Sequence, residues 1–218
     1  RSLLTQLRRD NAHLLSLATT DPLTRLQNTR HFDSFLESQF KIGRRYDRKL
    51  SVLAFDLDHF KLINDSYGHP TGDYVLKEFA VILKQCVRES DLVARTGGEE
   101  FSIVLPNAKR SEAGRLAERI RRAVSEREFV VFGKTVHITT SIGSASYPED
   151  AEITEPHMLT YFADQALLRA KQSGRDCLVR FDQLSRSERR ALRRQFRCAS
   201  PGQHVARPDP TVIADARR

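Results

Sequence analysis

The sequence predicts a mixed α/β domain of the α+β kind, a ferredoxin-like or palm-type β-α-β-β-α-β sheet with flanking helices. Three observations predict it. Stretches with helical apolar periodicity alternate with short strand-like runs through the middle of the chain. The run LSVLAFDL, 50–57, is apolar almost throughout, as suits a central strand covered on both faces. Two further strand-like runs, 92–96 and 100–105, are joined by Gly97-Gly98. Gly-Gly is a hairpin signal, because glycine reaches positive φ without steric penalty.

Residues 1–20 read as a helix, with Leu4, Leu7, Asn11, Leu14 and Ala18 at a/d heptad spacing. That pattern suits either a coiled-coil seam or an amphipathic helix packed on its own domain, and a start inside a helix fits a linker from an upstream module. TTDPLTRLQN breaks the helix. Residues 29–47 are helical, with Phe32, Phe35, Leu36 and Phe40 on one face. After the strand at 50–57 comes a helix over about 71–89, carrying Val75, Phe79, Ile82, Leu83 and Val87, and then the Gly-Gly hairpin. Residues 111–127 form an amphipathic helix with Ser111 as candidate N-cap. VHITTSIGSAS, 136–146, alternates as a strand. Residues 156–174 are helical with Gly174 as a stop, and CLVRF, 177–181, is a last strand. The domain therefore spans 21–183, between the 1–20 helix and a basic tail, 184–218, read as largely disordered.

The chain has 218 residues, a net charge of +8 and 39% hydrophobic content. With a mean hydropathy of −0.48 it is soluble and still able to bury a core. No run approaches the ~20 apolar residues of a membrane helix. A pI near 9.7 suggests an anionic partner. From 185 to 218, however, nine arginines face three acids, so that segment holds +6 of the +8 and the domain is close to balanced. Cys86, Cys177 and Cys198 fit neither a zinc motif nor a disulfide framework. Cys86 and Cys177 read as buried thiols in a reducing, cytoplasmic setting; whether a membrane tether precedes the domain stays open.

The chemistry gathers in two stretches, FDLDHFKLINDSYGHPTGD and RTGGEEF. Asp56 lies at the end of the buried strand, an edge where sheets of this class place ligand groups. In this topology the central strand lies beside a strand of the Gly-Gly hairpin, so Asp56, Glu99 and Glu100 converge. Three carboxylates at one point repel unless a cation holds them, and the natural occupant is a hard divalent ion such as Mg²⁺, or Mn²⁺ in its place. Magnesium sites are usually completed by phosphate oxygens, which points to phosphoryl or nucleotidyl transfer. Gly97 and Gly98, lacking Cβ atoms, would let a triphosphate approach the backbone. Asp58 and Asp65 read as plain solvated acids.

RTGGEEF resembles the signature of GGDEF domains, the diguanylate cyclases, in their GGEEF form. DPLTRLQNTRHF resembles that family's opening motif, FDLDHFKLINDSYGHPTGDYVL its central block, and AKQSGRD its AKxxGRN motif; the likeness covers about 20–182. The resemblance implies that two GTP molecules condense to cyclic di-GMP and two pyrophosphates, one GTP on each domain of a homodimer. It implies that Asp56, the Leu57 carbonyl and Glu99 hold metal, with Glu100 for a second ion. Glu99 is also the implied base for the 3′-hydroxyl. Asn64 and Asp73 would hydrogen-bond guanine with His69 close by, and Lys61, Lys171 and Arg175 would meet phosphates. Taken singly, Lys171 and Arg175 are surface cations at a helix C-terminus, and Asn64 a turn former.

Arg88 and Asp91 form an RxxD placed like the family's product-binding inhibitory site, and Arg115 and Arg119, one turn apart, could clamp a phosphate diester. The plain alternative is a helix-end salt pair. The chain departs from the family pattern at Arg25, which replaces a glycine, Thr29, which replaces an arginine, and Asp176, which replaces an asparagine. None removes a metal ligand or guanine contact. Two other readings compete: a non-catalytic cyclic di-GMP-binding effector, which would not need the intact GGEEF, and nucleic-acid binding by the tail, which lacks aromatic interleaving.

Overall fold

The structure is a computed structural model that describes Gln6, residues 19–131 and residues 133–198. The a/d positions of the N-terminal segment, and residues 199–218, lie outside the described residues. Helix α1 (Thr29–Tyr46) is capped by Asn28, whose side chain accepts from the His31 amide. Strand β1 (Leu50–Leu57) follows, buried along its whole length. Two helices, α2 (Phe60–Tyr67) and α3 (His69–Cys86), lead to the hairpin of β2 (Leu92–Arg95) and β3 (Glu100–Pro106). Then come α4 (Arg110–Ser125), a small hairpin of β4 (Phe129–Val131) and β5 (Lys134–Val136), and β6 (Thr140–Tyr147). Helix α5 (Pro156–Gln172), β7 (Leu178–Arg180), a 3₁₀ turn at Phe181–Gln183 and α6 (Arg186–Cys198) complete the chain.

The main sheet has the order β2-β3-β1-β6-β7. Of its neighbouring strands, β6 and β7 pair in parallel and the other three pairs are antiparallel. The first four strands reproduce the ferredoxin-like β-α-β-β-α-β arrangement, with β7 added at the β6 edge. Alternate residues of β1 feed two cores. Leu53, Phe55 and Leu57 join Phe79 and Phe101 under α2, α3 and α4, where the Phe79 and Phe101 rings meet edge-on at 4.8 Å. Val52 and Ala54 join Phe32, Phe162 and Phe181 under α1 and α5, where Phe162 stacks on Phe181 at 4.1 Å. Burial on both faces explains why β1 reads as a continuous apolar run.

Several expectations need correcting. Residues 60–67 form a helix rather than a turn, and α3 begins at His69 with Pro70 in its first turn. Gly68, at φ 82, separates the two helices in a conformation that L side chains resist. The β4–β5 hairpin was missed, and the stretch expected as one strand over 136–146 is divided between β5 and β6. The α4 cap is Lys109, not Ser111: its amide donates to the Glu112 carboxylate at 2.9 Å. Cys86 and Cys177 are half-buried rather than fully enclosed. Residues 186–198, expected within a disordered tail, form α6, whose Leu192 and Phe196 pack on the α5 side of the core while Arg189 pairs with Glu152 at 3.1 Å. Six arginines in thirteen residues mask the apolar stripe in the sequence.

Candidate active site at the end of β1

Asp56 is the seventh residue of β1 and is 5% exposed. Its register partner on β3 is Glu100. The Leu57 amide donates to the Glu99 carbonyl at 3.4 Å, so the hairpin tip is tied to the end of β1. Adjacency of β1 and β3 thus brings Asp56, Glu99 and Glu100 to one edge, as the topology argument expected. Burial pushes the Asp56 carboxyl up to about 6, against the pull of Lys171 and with added repulsion from Glu99 and Glu100. Burial likewise raises Glu99, with Lys171 opposing and Glu100 reinforcing. Lys171, in the last turn of α5, places Nζ 2.6 Å from Asp56 Oδ2.

The donor set suits a hard divalent cation: Asp56, Glu99 and Glu100 supply carboxylate oxygens, and Leu57 ends the same strand. Among the described residues, no group of three or more His, Cys, Asp and Glu is drawn together closely enough to hold a metal ion, so the three carboxylates share an edge without forming a ligand cluster.

Neither Gly97 nor Gly98 adopts left-handed backbone, so the positive-φ reason for the pair does not hold. Their use is space. A Cβ on Gly97 would collide with the Glu100 carboxylate, whereas Gly98 faces nothing within 4 Å. Arg95 grips the tip by donating to the Gly98 carbonyl at 2.7 and 3.1 Å, and its guanidinium pairs with Asp21 at 3.2 Å. Burial opposes ionisation of Asp21, yet hydrogen bonds from Thr24 and the charge of Arg95 hold its carboxyl below the usual range. The opening motif therefore clamps the hairpin, a role the sequence reading missed. Arg25 adopts φ 58, left-handed backbone at the position where the family pattern has glycine.

Asn64 lies half-buried on α2, packed where α3 carries Gly72; a Cβ there would strike the Asn64 amide oxygen. His69 and Asp73 stand one turn apart at the start of α3, and both are exposed. Lys61 is exposed on α2, and Arg175 is exposed in the turn after α5. Asn64, His69 and Asp73 thus share the α2–α3 junction, Lys171 reaches Asp56 from α5, and Arg175 lies in the turn beyond that helix. Asp58 is not a solvated acid: it is 4% exposed and accepts from Thr139 Oγ1 at 2.7 Å, Ser141 Oγ at 2.6 Å and the Asp176 amide at 3.0 Å.

A second group forms where α3 meets α4. Asp91 accepts from the Arg88 backbone amide at 2.9 Å, and among the described residues no side-chain ion pair joins the two. The salt pair given as the plain alternative is therefore not formed among the described residues, and the Arg88 guanidinium is exposed. The Lys109 amide chiefly holds Glu112 below its ordinary range, helped by Lys109, Arg115 and Arg88, which places Arg88 and Arg115 around one carboxylate. Arg119 donates to the Cys86 carbonyl at 2.6 Å. Arg115 and Arg119 also line an open groove of about 1320 Å³ along α4; none of the acids at the β1 edge borders it.

A family model described as "Diguanylate cyclase, GGDEF domain" matches residues 18–177. Diguanylate cyclase A of Treponema denticola is 43% identical over 170 residues, covering 77% of this chain and 45% of that protein. Response regulator PleD of Caulobacter vibrioides is 41% identical over 175 residues, covering 79% of this chain and 38% of that protein. The chain spans less than half the length of these relatives. Among solved structures, the coiled coil and GGDEF domain of DgcB from Caulobacter crescentus, in complex with c-di-GMP, superposes with a TM-score of 0.76 at 30% identity, covering 82% of this chain and 94% of that one. The active GGEEF domain of a diguanylate cyclase from Vibrio cholerae gives 0.67 at 34% identity, covering 72% and 98%.

Proposed function

Because this chain belongs to the GGDEF family, we propose that it is a diguanylate cyclase, joining two molecules of GTP into cyclic di-GMP with release of two pyrophosphates. The observation that carries the reading is the edge of β1, where Asp56, Glu99 and Glu100 converge and Lys171 lies 2.6 Å from Asp56. Such an edge is built to receive a triphosphate together with a cation. The catalytic unit is 21–183, and the active assembly is a homodimer with one GTP on each domain. An upstream sensory or regulatory module would bring the two domains face to face. No helix among the described residues is long and apolar enough to cross a membrane.

Asn64 and Asp73 would read the guanine edge, the carboxylate accepting its paired N–H donors, with His69 beside them. Lys61, Lys171 and Arg175 would hold the phosphates, with Lys171 moving from Asp56 onto phosphate oxygen. Gly98 leaves the backbone open to that approach. A magnesium or manganese ion held by Asp56, the Leu57 carbonyl, Glu99 and Glu100 would supply charge neutralisation at the reacting phosphate. Glu99, its carboxyl raised by burial, would accept the 3′-hydroxyl proton. The freed 3′-oxygen then bonds to the α-phosphorus of the facing GTP, and the bond to the bridging oxygen breaks to release pyrophosphate. A second, symmetric round closes the ring. Arg88, Asp91, Arg115 and Arg119 would bind the product and restrain turnover from outside the site.

The test is incubation of the protein with GTP and Mg²⁺, with separation of nucleotides. Cyclic di-GMP should accumulate with wild type and be lost in Glu99→Gln, which removes a charge and almost no volume. Absence of product from a folded wild type, or equal product from the variant, would overturn the reading.

A further inference from the structure

The turn after α5 holds three consecutive residues in left-handed backbone: Gly174 at φ 109, Arg175 at φ 65 and Asp176 at φ 43. Glycine takes that region freely, but arginine and aspartate do so at a steric cost. Such a turn persists only where its surroundings hold it. Two contacts do so. The Asp176 amide donates to Asp58 Oδ2 at 3.0 Å, and the Asp176 carboxylate receives Arg121 Nη1 at 2.9 Å. Both anchors are themselves fixed. Asp58 is buried and gripped by the Thr139 and Ser141 hydroxyls. Arg121 is steadied within α4 by Glu118, which accepts from its Nε at 3.0 Å. Arg175 directly precedes the doubly anchored Asp176. Its amide donates to the Ala170 carbonyl at 3.1 Å, while among the described residues its guanidinium has no hydrogen-bond or ion-pair partner. A side chain kept free on a backbone held from two sides is poised for something outside the chain.

We infer that Arg121, a residue of α4 outside the site, is a positioning residue: its ion pair with Asp176, together with the Asp58 bond to the Asp176 amide, locks the turn that presents Arg175 to the substrate triphosphate. The inference rests on the proposed GTP site. It also accounts for the departure at Asp176. An asparagine there could accept from Arg121 through its amide oxygen, but aspartate adds charge to the same bond. The clamp joins three parts of the fold at one point: the end of β1 through Asp58, the start of β6 through Thr139 and Ser141, and α4 through Arg121. Arg175 therefore takes its register from the sheet that carries Asp56 rather than from the last turn of α5 alone.

Two measurements test this on the full chain. Hydrogen exchange of the Asp176 amide without nucleotide reads the clamp itself; it should quicken in Arg121→Gln and stay near wild type in Arg121→Lys, which keeps the charge. Steady-state turnover reads the positioning. KM for GTP should rise about tenfold in Arg121→Gln with kcat little changed, as for loss of an oriented phosphate contact. The same substitution made in an Arg175→Gln background should leave KM where Arg175→Gln alone puts it. Unchanged exchange in Arg121→Gln would overturn the inference. So would quickened exchange with unchanged KM, or a further KM rise in the Arg175→Gln background, since each would leave Arg121 as a stabilising residue only. If wild type makes no cyclic di-GMP, the functional reading falls by itself and with it the positioning role, while exchange at Asp176 still reports whether the clamp exists.

Discussion

Asp56 carries a pH dependence whose sign can be worked out. Its carboxyl titrates near 3.8 in an unfolded chain and near 6 in the fold, because burial disfavours the charge more than Lys171 restores it. Between those values the folded protein holds a proton that the unfolded chain has lost. Stability therefore falls as pH rises through that window, by about 3 kcal/mol once Asp56 is fully ionised. Asp56→Asn removes the buried charge and leaves Glu99 as the counter-ion of Lys171. In metal-free buffer the variant should melt several degrees above wild type at pH 8, and the difference should vanish toward pH 4. Melting curves from pH 4 to 8 in a chelator check this; a variant less stable than wild type at pH 8 would contradict it. Added Mg²⁺ should raise wild type and not the variant. The adjacency of Asp56 to the hairpin carrying Glu99 and Glu100 was legible, because an apolar run and a Gly-Gly turn announce the two elements. Asp58 was not, because nothing local shows that hydroxyls 81 and 83 residues away will satisfy it.

At the scale of elements, two glycines separate space needed for packing from space needed for substrate. Gly143 lies mid-strand on β6, and a Cβ there would strike the Ala163 carbonyl and the Leu167 backbone. Helix α5 packs so closely on β6 that only the helix itself could yield. Gly143→Ala should cost roughly 3 kcal/mol, at the upper end of overpacking penalties, because backbone rather than a side chain must move. A fall in the thermal midpoint of several degrees is expected, and an unchanged midpoint would refute the close approach. Gly98→Ala meets nothing within 4 Å, so stability should hold within about 0.5 kcal/mol while KM for GTP rises. The order of the elements was readable because β1 is apolar on both faces and the helices carry clear apolar stripes. What escaped was short or masked. The β4–β5 hairpin has three-residue strands, and α2 follows an N-cap, His59, that is in left-handed backbone and makes no side-chain cap to announce a helix.

At the scale of the whole molecule, the fold keeps the two proposed ligand regions apart. The acids lie where β1 ends, while Arg88, Asp91, Arg115 and Arg119 gather where α3 meets α4. Arg88→Ala should therefore lose inhibition by cyclic di-GMP while keeping its initial rate, measured at two GTP concentrations. Equal inhibition of wild type and variant would remove Arg88 from the regulatory group. On the proposed reading, the guanine and metal residues of one chain serve one GTP, so forming two phosphodiester bonds between two GTP molecules calls for a second copy facing the first, and the rate per protomer should follow the fraction of protein that is paired. It should rise with protein concentration and level off once dimers saturate, in step with mass measured by light scattering. If residues 1–20 pair through their a/d positions as a coiled coil, deleting them should move the rise to higher concentration and leave the plateau where it was. A rate per protomer that stays constant across the monomer-to-dimer range would refute catalysis by two facing domains. A lowered plateau would instead mean that the segment orients the domains as well as gathering them.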